Sequence, residues 1–547
     1  MGFYKTVETT LKSYRELFKE IFLGEEKIFT ANVIIFHVAL ILVSFVFVCI
    51  FSYSTSFHYD LLGGDSSLFQ VVGKYWTQGY LPYVDIFEHK GPLLFLINAI
   101  GYVIYPRIGV MVPQIIFLYL SCLFIWRAME LYSSSKWKIF FMLLTLVFYA
   151  TNYEEGNHVE DYSVLFLSMA VYCFLRSLKE NKFPPLYGFI YGFGFGACFL
   201  MRLSDAAQIC CQVFLIAIFL LQERAFKNLW QNFLSFCAGF ILIVLPFVIY
   251  FAAHGALYEM FYGTILFNLK YTGASFHFPF IFQVMYNIFH FLPLFIIIIV
   301  AVLVLKQNPK SRLLQSGIFI GAMIAFMLIN LRPYLHYAMI IFPTVPILFA
   351  IIFDNRNEFQ KIWQTRGLSL KRVVIKVLIL FTCINVYISI FCLKSLYLNE
   401  ESAFFLIAQA TNVKRAEYLD VNERQNALNL QKIIPQNERN SFVCWGDVST
   451  TPHWLLHTGM KPRERLFMNN SRLTRIDPAF RKEWFDNVRK DYPLWILYGT
   501  DPNRKPGEPI KTQAEDAELE QLLKEKYLLK GEVYIFPQMM KLYRLKE

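Results

Sequence analysis

Long apolar segments separated by short polar loops are the main pattern along this chain of 547 residues. A helix that crosses a bilayer needs roughly 17–25 predominantly apolar residues. Segments of about this length recur along the first two thirds of the chain, and they predict about eleven membrane crossings. They lie near 30–53, 109–129, 138–151, 162–178, 185–201, 206–222, 231–252, 286–305, 313–331, 335–353 and 373–393.

The apolar stretch 92–107 differs from these segments because it is short and contains Gly101 and Pro106. We expect it to lie in the outer membrane interface or to re-enter the membrane rather than to cross it. The basic loops between the other segments are then all cytoplasmic, as the positive-inside rule requires. This alternation predicts a cytoplasmic N-terminus and places the residues after 394 outside.

Charged residues and prolines return in the last part of the chain. Short strand-like runs alternate there with helical patterns at 418–433 and 478–490, which predicts a small α/β domain of ordinary size. The predicted domains are therefore a membrane domain, 1–394, and an extracytoplasmic domain, 395–547. The strand-like runs are 441–445, 464–468, 494–498, 533–536 and 540–544.

Composition supports a polytopic α-helical membrane protein. Only 17% of the residues are charged, whereas a soluble domain carries about a quarter. The net charge of +11 comes largely from basic loops between apolar segments, so it does not indicate nucleic-acid binding. The pattern LKSYRELFKEIF near the N-terminus predicts an amphipathic helix on the cytoplasmic face rather than a cleavable signal peptide.

The ten cysteines do not indicate a disulfide framework or a zinc site. Nine of them lie in or beside apolar segments, only Cys444 falls in the polar C-terminal part, and no CxxC pattern occurs. We expect Cys210 and Cys211 to serve as a pair of small apolar residues.

The predicted topology brings the unusual polar segments to one face of the membrane. These segments are 54–91, 152–161, Arg202 to Asp205, 254–285 and Arg332 to His336. Ionisable groups are costly to hold near lipid and commonly mark a function. The sequence therefore predicts a site at the outer face.

Asp65 is the first candidate for chemistry, because it follows two glycines in GGDSS and precedes LFQVVGKYW. The spacing of apolar residues after it predicts a helix that lies on the membrane surface. Asp65 is then either the N-cap of this helix or a carboxylate with a catalytic role. The two interpretations are compatible, since a helix start holds a carboxylate in a fixed place.

Glu160 and Asp161 form a second acidic pair, in the loop NYEEGNHVEDY directly before an apolar run. Carboxylates at the membrane edge are expensive unless they are paired, hydrogen-bonded or bound to a metal. One interpretation is a solvated loop, and the other is a site for a divalent cation such as Mg²⁺ or Mn²⁺, which prefers oxygen ligands.

Arg202 interrupts apolar sequence in FLMRLSDAAQ, and Arg332 and His336 do so in NLRPYLHYAM. Each set forms either an ion pair at a helix end or a clamp for a phosphate, which guanidinium groups bind bidentately. His89 and Lys90 precede Gly91–Pro92 and could serve the same purpose.

Three of these motifs in order give the chain a recognisable resemblance. PYVDIFEHKGPLLFLINAIG, GNHVEDYSVLF and LRPYLHYAMIIFPTVPIL, together with Asp65 after a glycine pair, resemble the GT-C glycosyltransferase superfamily. The similarity is closest to its protein O-mannosyltransferase-like and aminoarabinose-transferase-like bacterial branch and spans the membrane part. HKGPL departs from the two prolines that many relatives have there.

This resemblance implies transfer of a sugar from a polyprenyl-phosphate donor to a glycan, lipid or protein acceptor at the outer face of a bacterial cytoplasmic (inner) membrane. Asp65 matches the carboxylate that deprotonates or orients the acceptor hydroxyl. Lys90, Arg202 and Arg332 are candidates for holding the leaving phosphate. The further candidates for substrate binding are Asp85, His89, Glu160, Asp161 and His336.

Two other classes of function remain open at this point. A transporter or flippase of lipid-linked glycans would place ionisable residues near the bilayer midplane, often in two related halves. The sequence shows no repeat, and its polar segments gather at one face. A non-enzymatic assembly protein would leave the acidic loops unexplained.

Overall fold

The protein divides into two compact units, each made of three separate stretches of the chain. Unit 1 comprises the described residues of Met1–Ser52, Met111–Ile249 and His277–Phe404, and unit 2 those of Tyr53–Val110, Tyr250–Phe276 and Phe405–Glu547. The computed structural model describes residues 2–24, 26, 28–57, 62–133, 137–273, 309–329, 335–354, 428, 430–446, 455–467, 470–501, 515–535 and 538–547.

Unit 1 consists of helices joined by short loops throughout its described residues. The two 3-10 helices are Leu203–Ala206 and Leu335–Ile341. The α-helices are Gly2–Leu23, Ala31–Phe51, Met111–Glu130, Trp137–Thr151, Val159–Glu180, Pro185–Phe199, Ala207–Gln222, most of Phe226–Ala253, Pro309–Ile329 and Val345–Asp354.

Five helical stretches among the described residues are long and apolar enough to cross a membrane, which confirms a polytopic membrane protein. The helix Pro92–Ile104 has 13 residues and is about 20 Å long, which is too short to cross a hydrocarbon core of about 30 Å. The crossings predicted at 286–305 and 373–393 lie outside the described residues, so the count of eleven stays a prediction. The five stretches are Ala31–Phe51, Ile108–Glu130, Val159–Glu180, Leu203–Gln222 and Phe226–Ala253.

The apolar run 335–353, predicted as one crossing, does not form a continuous helix. The structure has the 3-10 helix Leu335–Ile341 and then a separate α-helix, Val345–Asp354, of only 10 residues. Pro343 lies between them and Pro346 in the first turn of the second helix. Proline lacks a backbone N–H, so a continuous helix would lose hydrogen bonds there.

A four-stranded sheet forms the centre of the C-terminal part of unit 2. Its strands are β1 (Phe442–Trp445), β2 (Trp495–Thr500), β3 (Tyr527–Ile535) and β4 (Gln538–Leu545), in the order β1-β2-β4-β3. β1 and β2 are parallel, and the other two pairs are antiparallel. The helices of unit 2 are Gly64–Trp76, Pro92–Ile104, Leu257–Phe261, Phe267–Gly273, Asn470–Ile476, Pro478–Lys490 and Ala517–Lys526, with 3-10 helices Ile108–Val110 and Gln436–Glu438 and a π-helical turn Tyr262–Leu266.

The sequence placed four of the five strand-like runs within or beside these strands, and it placed the helix 478–490 correctly. The run 464–468 is not a strand over its described residues 464–467. Its backbone forms a hydrogen bond outside the sheet, because the Arg465 carbonyl accepts one of 2.8 Å from the Phe87 N–H. Of the predicted helix 418–433, only 428 and 430–433 are described.

The core of unit 2 joins segments that are far apart in the chain. Phe87 and Phe267 are buried and pack with Phe480 at ring-centroid distances of 4.7 Å and 5.6 Å. The same core contains Trp445 on β1 and Trp484 on the helix Pro478–Lys490. The polar segment around 61–95 is therefore built into a folded domain rather than being a free loop.

The helix after Asp65 is buried within the protein, and its predicted position on the membrane surface stays a prediction. Residues 66–73 of the helix Gly64–Trp76 are all buried, and Gly73 lies so close to the helix Pro92–Ile104 that an added Cβ would be 2.7 Å from the Ala99 nitrogen. A helix contacted on several sides shows no single apolar face.

Candidate functional site

The predicted site residues fall into two groups, one in each unit. Glu160, Asp161, Arg202 and His336 belong to unit 1, and Asp65, Asp85, His89 and Lys90 belong to unit 2. Arg332 lies outside the described residues.

Arg202 lies between two buried carboxylates in unit 1. Its Nε donates to Asp205 Oδ1 at 2.7 Å, and its Nη2 donates to Glu160 Oε1. The guanidinium carbon lies 4.3 Å from the centroid of the Tyr337 ring, a cation–π contact. The side chain of Arg202 is only 14% exposed, and those of Glu160 and Asp205 are at most 1% exposed. The contacts of Arg202 are therefore those of the ion-pair interpretation, and they hold its guanidinium group in a fixed position.

Asp161 forms hydrogen bonds with other residues than its neighbour Glu160 does. Its Oδ2 accepts hydrogen bonds from the Asn157 N–H at 2.7 Å and from the Gln114 side chain at 3.0 Å. The Gln114 amide also bonds to Ser52 and to Tyr153. Gln114 thus connects three helical segments by hydrogen bonds, a role that the sequence analysis did not identify.

The loop before Glu160 has a tightly wound backbone. Glu154, Gly156 and Asn157 all have positive φ, at 48°, 77° and 61°. A Cβ at Gly156 would collide with the Ser52 side chain. Such backbone conformations cost energy and recur where side chains must be presented in a fixed way.

This loop presents Glu154 and His158 to His336. The His336 Nδ1 lies 2.8 Å from Glu154 Oε2, and the rings of His158 and His336 stack with centroids 4.0 Å apart. Sequence analysis selected His336 but did not commit to Glu154 or His158, although both belong to the acidic loop that it singled out. Nothing in the sequence indicates that Glu154 pairs with His336, 182 residues later.

Asp65 lies in the first turn of the helix Gly64–Trp76 and is half-buried. The N-cap is Gly63, whose φ is 71°, so the prediction that Asp65 is the cap is wrong by two positions. The helix dipole favours a carboxylate there. Asp65 also exerts a favourable charge interaction on the His89 imidazolium.

Glu88, His89 and Lys90 form a compact cluster in unit 2. The Lys90 ammonium donates to His89 Nε2 at 3.1 Å, and His89 Nδ1 lies 3.1 Å from Glu88 Oε1. An ammonium group can only donate, so Nε2 must accept and the imidazole proton resides on Nδ1, facing Glu88. The backbone is fixed as well, since Asn268 donates to the His89 carbonyl at 2.7 Å.

Burial and neighbouring charge act on the pKa values of this cluster. Burial lowers the pKa of His89, and Lys90 lowers it further, against the attraction of Glu88. Burial would raise the pKa of Glu88, but the charge and hydrogen bonds of His89 together with the charge of Lys90 lower it to about 2. Both groups therefore bind protons less readily in the folded protein than in the unfolded chain.

We expect unit 2 to lose stability on acidification. A group whose pKa is lower in the folded state contributes stability that is present above its unfolded pKa and is lost as the pH falls. The loss begins below pH 6.5 for His89 and continues from pH 4.5 toward about 2 for Glu88. Melting temperatures measured across this pH range test the expected loss. Below pH 4.5 the melting temperature of Glu88→Gln should depend less on pH than that of the wild type, whereas the exposed Glu532→Gln should behave like the wild type. An equal pH dependence in the wild type and both variants would show that Glu88 is not responsible for the loss.

Asp85 is turned toward its own loop. Its Oδ2 accepts a hydrogen bond of 2.7 Å from the Leu81 N–H. Asp85 also lines a polar cleft with residues of the C-terminal part of unit 2.

Two solved structures resemble this chain over nearly its whole length. The structure of ArnT from Cupriavidus metallidurans in the apo state, a GT-C glycosyltransferase, has a TM-score of 0.52 at 10% sequence identity, covering 94% of this chain and 98% of that one. A second structure of the same protein, bound to undecaprenyl phosphate, has a TM-score of 0.48 at the same identity and coverage. The apo comparison shows that the chain has a GT-C fold.

No curated protein matches the chain in sequence. A family model covers most of the membrane part and extends just past it. It is the model of the putative competence-induced protein Ccs4 N-terminal domain, it matches residues 27–408, and the chain therefore belongs to that family.

Proposed function

We propose that this protein is a glycosyltransferase that moves a sugar from a polyprenyl-phosphate donor to an acceptor hydroxyl. The observation that carries the proposal is the half-buried Arg202, held by the buried Glu160 and Asp205 where one apolar helix ends and the next begins, in a protein with a GT-C fold. A rigidly held guanidinium suits a phosphate that gains charge as it leaves. We further propose that the site faces the outside of a bacterial inner membrane.

Each candidate residue has a distinct role in this reaction. Asp65 accepts the proton of the acceptor hydroxyl while its oxygen attacks the anomeric carbon of the sugar. The bond from that carbon to the phosphate oxygen breaks, and polyprenyl phosphate leaves. Lys90, Arg202 and Arg332 stabilise this phosphate. We propose that Asp85, His89, Glu160, Asp161 and His336 bind and orient the substrates.

A divalent cation fits the chemistry of the acidic pair. Glu160 Oε2 and Asp161 Oδ1 are buried and have no hydrogen-bond partner among the described residues. Unpaired buried carboxylate oxygens are costly, and they are the ligands that Mg²⁺ and Mn²⁺ prefer. We propose that Glu160 and Asp161 hold such an ion, which would supply positive charge near the donor phosphate.

Chelation should then weaken both activity and stability. An ion at 100 times its Kd stabilises the folded state by about 2.7 kcal/mol, so EDTA should lower the melting temperature and Mn²⁺ should restore it. Transfer should fall in parallel. Asp161→Asn should no longer respond to Mn²⁺. A melting temperature that is unchanged by EDTA and by Mn²⁺ would remove the metal from the proposal.

One observation favours the alternative, a transporter or flippase of lipid-linked glycans. Gln208 and Gln212 lie one turn apart in the apolar stretch Leu203–Gln222, and both are buried. Neither side-chain amide has a hydrogen-bond partner among the described residues. Buried polar groups within the membrane commonly mark a translocation path.

One assay separates the two functions. The purified protein in liposomes is given a polyprenyl-phosphate sugar together with a membrane extract as the source of acceptors. A transferase releases polyprenyl phosphate and labels an acceptor. A flippase moves the intact donor between leaflets without releasing it, and that outcome would replace the proposed function.

A further inference from the structure

We propose that the polar cleft in unit 2 is a saccharide-binding site, and, on the proposed function, that it holds the acceptor glycan. The cleft is formed by the segment around Tyr80 to Asp85 and by residues of the C-terminal part. Its volume is about 710 Å³, which lies within the range of about 300–1,000 Å³ usual for ligand sites.

Two arginine side chains of the cleft are held by ion pairs before any ligand arrives. Arg463 bonds to Asp491 at 2.5 Å and to the Ser441 hydroxyl at 2.9 Å. The Nε of Arg465 lies 2.5 Å from Oε1 of Glu483. A ligand that binds such a preorganised array loses little affinity to the ordering of side chains.

Further hydrogen bonds extend this array. Arg465 also donates to the Tyr83 carbonyl at 3.1 Å, and Asn487 donates to Glu464 at 2.9 Å. The array therefore presents guanidinium, carboxylate and amide groups side by side. Planar groups of these types can donate to and accept from neighbouring hydroxyls, which are the dominant groups of a sugar.

The charge balance of the cleft favours a neutral ligand. Four basic side chains, Lys461, Arg463, Arg465 and Lys490, face four acidic ones, Asp85, Glu464, Glu483 and Asp491. Burial also raises the pKa of Glu464. A site for a strongly anionic ligand would carry an excess of basic groups.

An aromatic side chain completes the lining. Tyr80 lines the cleft and is itself held edge-to-face by Tyr75, with ring centroids 5.3 Å apart. The ring offers an apolar surface for the C–H face of a sugar, while the charged wall meets its hydroxyls. A polyprenyl chain finds no long apolar groove here, so the acceptor side of the reaction is the better match.

Direct binding to the full-length protein tests the proposal. The probes are maltohexaose, chitohexaose and oligogalacturonate, observed by saturation-transfer NMR up to about 10 mM, since an isolated saccharide site of Kd near 1 mM binds with only about 4 kcal/mol. We expect maltohexaose or chitohexaose to bind. Binding of neither, or of oligogalacturonate or an added peptide alone, would overturn the proposal.

Two matched variants locate the binding. Asn440 is an exposed residue of the cleft lining, so Asn440→Trp should fill the cleft and weaken saccharide binding at least about tenfold, a loss of roughly 1.4 kcal/mol. Lys524→Trp places the same bulk on an exposed helix position that does not line the cleft, and it should bind like the wild type. Equal binding by both variants, with unchanged melting temperatures, would place the saccharide elsewhere.

The outcome is independent of the transfer reaction. Asp65→Asn should retain saccharide binding even when it transfers no sugar. The wild type could transfer no sugar and still bind saccharide in a manner that Asn440→Trp abolishes. This result would support the cleft as a saccharide-binding site and contradict the proposed function. If transfer occurs and Asn440→Trp leaves both saccharide binding and the acceptor KM unchanged, the cleft inference fails alone.

Discussion

Asp65→Asn should reduce sugar transfer by roughly 10²–10⁴-fold, the usual contribution of a general base. The amide is nearly the same size as the carboxylate but cannot accept the proton of the acceptor hydroxyl. Asp65 lies in the first helical turn and does not provide the N-cap, so the fold should survive the change. The rate of polyprenyl phosphate release, measured with saturating donor, reports the loss.

The matched control is Asp486→Asn, on the exposed side of the helix Pro478–Lys490. It removes the same charge from unit 2 and should leave transfer and the melting temperature unchanged. Near-normal transfer by Asp65→Asn would show that another group takes the proton. Loss of folding in Asp65→Asn would instead assign Asp65 a structural role.

Arg202→Ala should destabilise unit 1 by about 3–5 kcal/mol, because it leaves buried carboxylates without their cation. Glu160 and Asp205 are both fully buried, so neither can recover its hydration. Thermal unfolding in detergent measures the effect. The double variant Arg202→Ala/Glu160→Gln should recover part of the loss, since it removes one of the stranded charges.

The variant Arg202→Lys distinguishes a structural role of this side chain from a role in phosphate binding. It keeps the positive charge but loses the fork that reaches two carboxylates at once. We expect an intermediate melting temperature and a raised KM for the donor. An Arg202→Ala protein that is as stable as the wild type but binds donor weakly would show that the ion pairs contribute little and that phosphate contact dominates.

Local patterns predicted the helices well because an apolar run depends on neighbouring residues only. The runs near 30–53 and 206–222 match the helices Ala31–Phe51 and Ala207–Gln222 closely. The run 335–353 is divided into two helices, because two prolines interrupt it despite its apolar composition. The run 464–468 failed because its backbone partner is Phe87, almost four hundred residues earlier.

The candidate residues could be selected from sequence, but their partners could not. Arg202 and Glu160 stand out as charges beside apolar runs, yet nothing in the sequence joins them across 42 positions. Gln114 gave a weaker signal as a lone amide near the start of an apolar run. The burial of the helix Gly64–Trp76 was hidden because its partner, Pro92–Ile104, was the segment whose position the apolar pattern left ambiguous.

The discontinuous make-up of unit 2 has a consequence for biosynthesis. Phe87 leaves the ribosome early, but its core partners Trp445 and Phe480 follow only after residues 111–404 have been made. At about 5–20 residues per second this interval lasts roughly 15–60 s, during which the first polar segment has no finished core to join. A gene truncated near residue 408, where the family match ends, would therefore insert its helices but leave that segment exposed to proteases and chaperones.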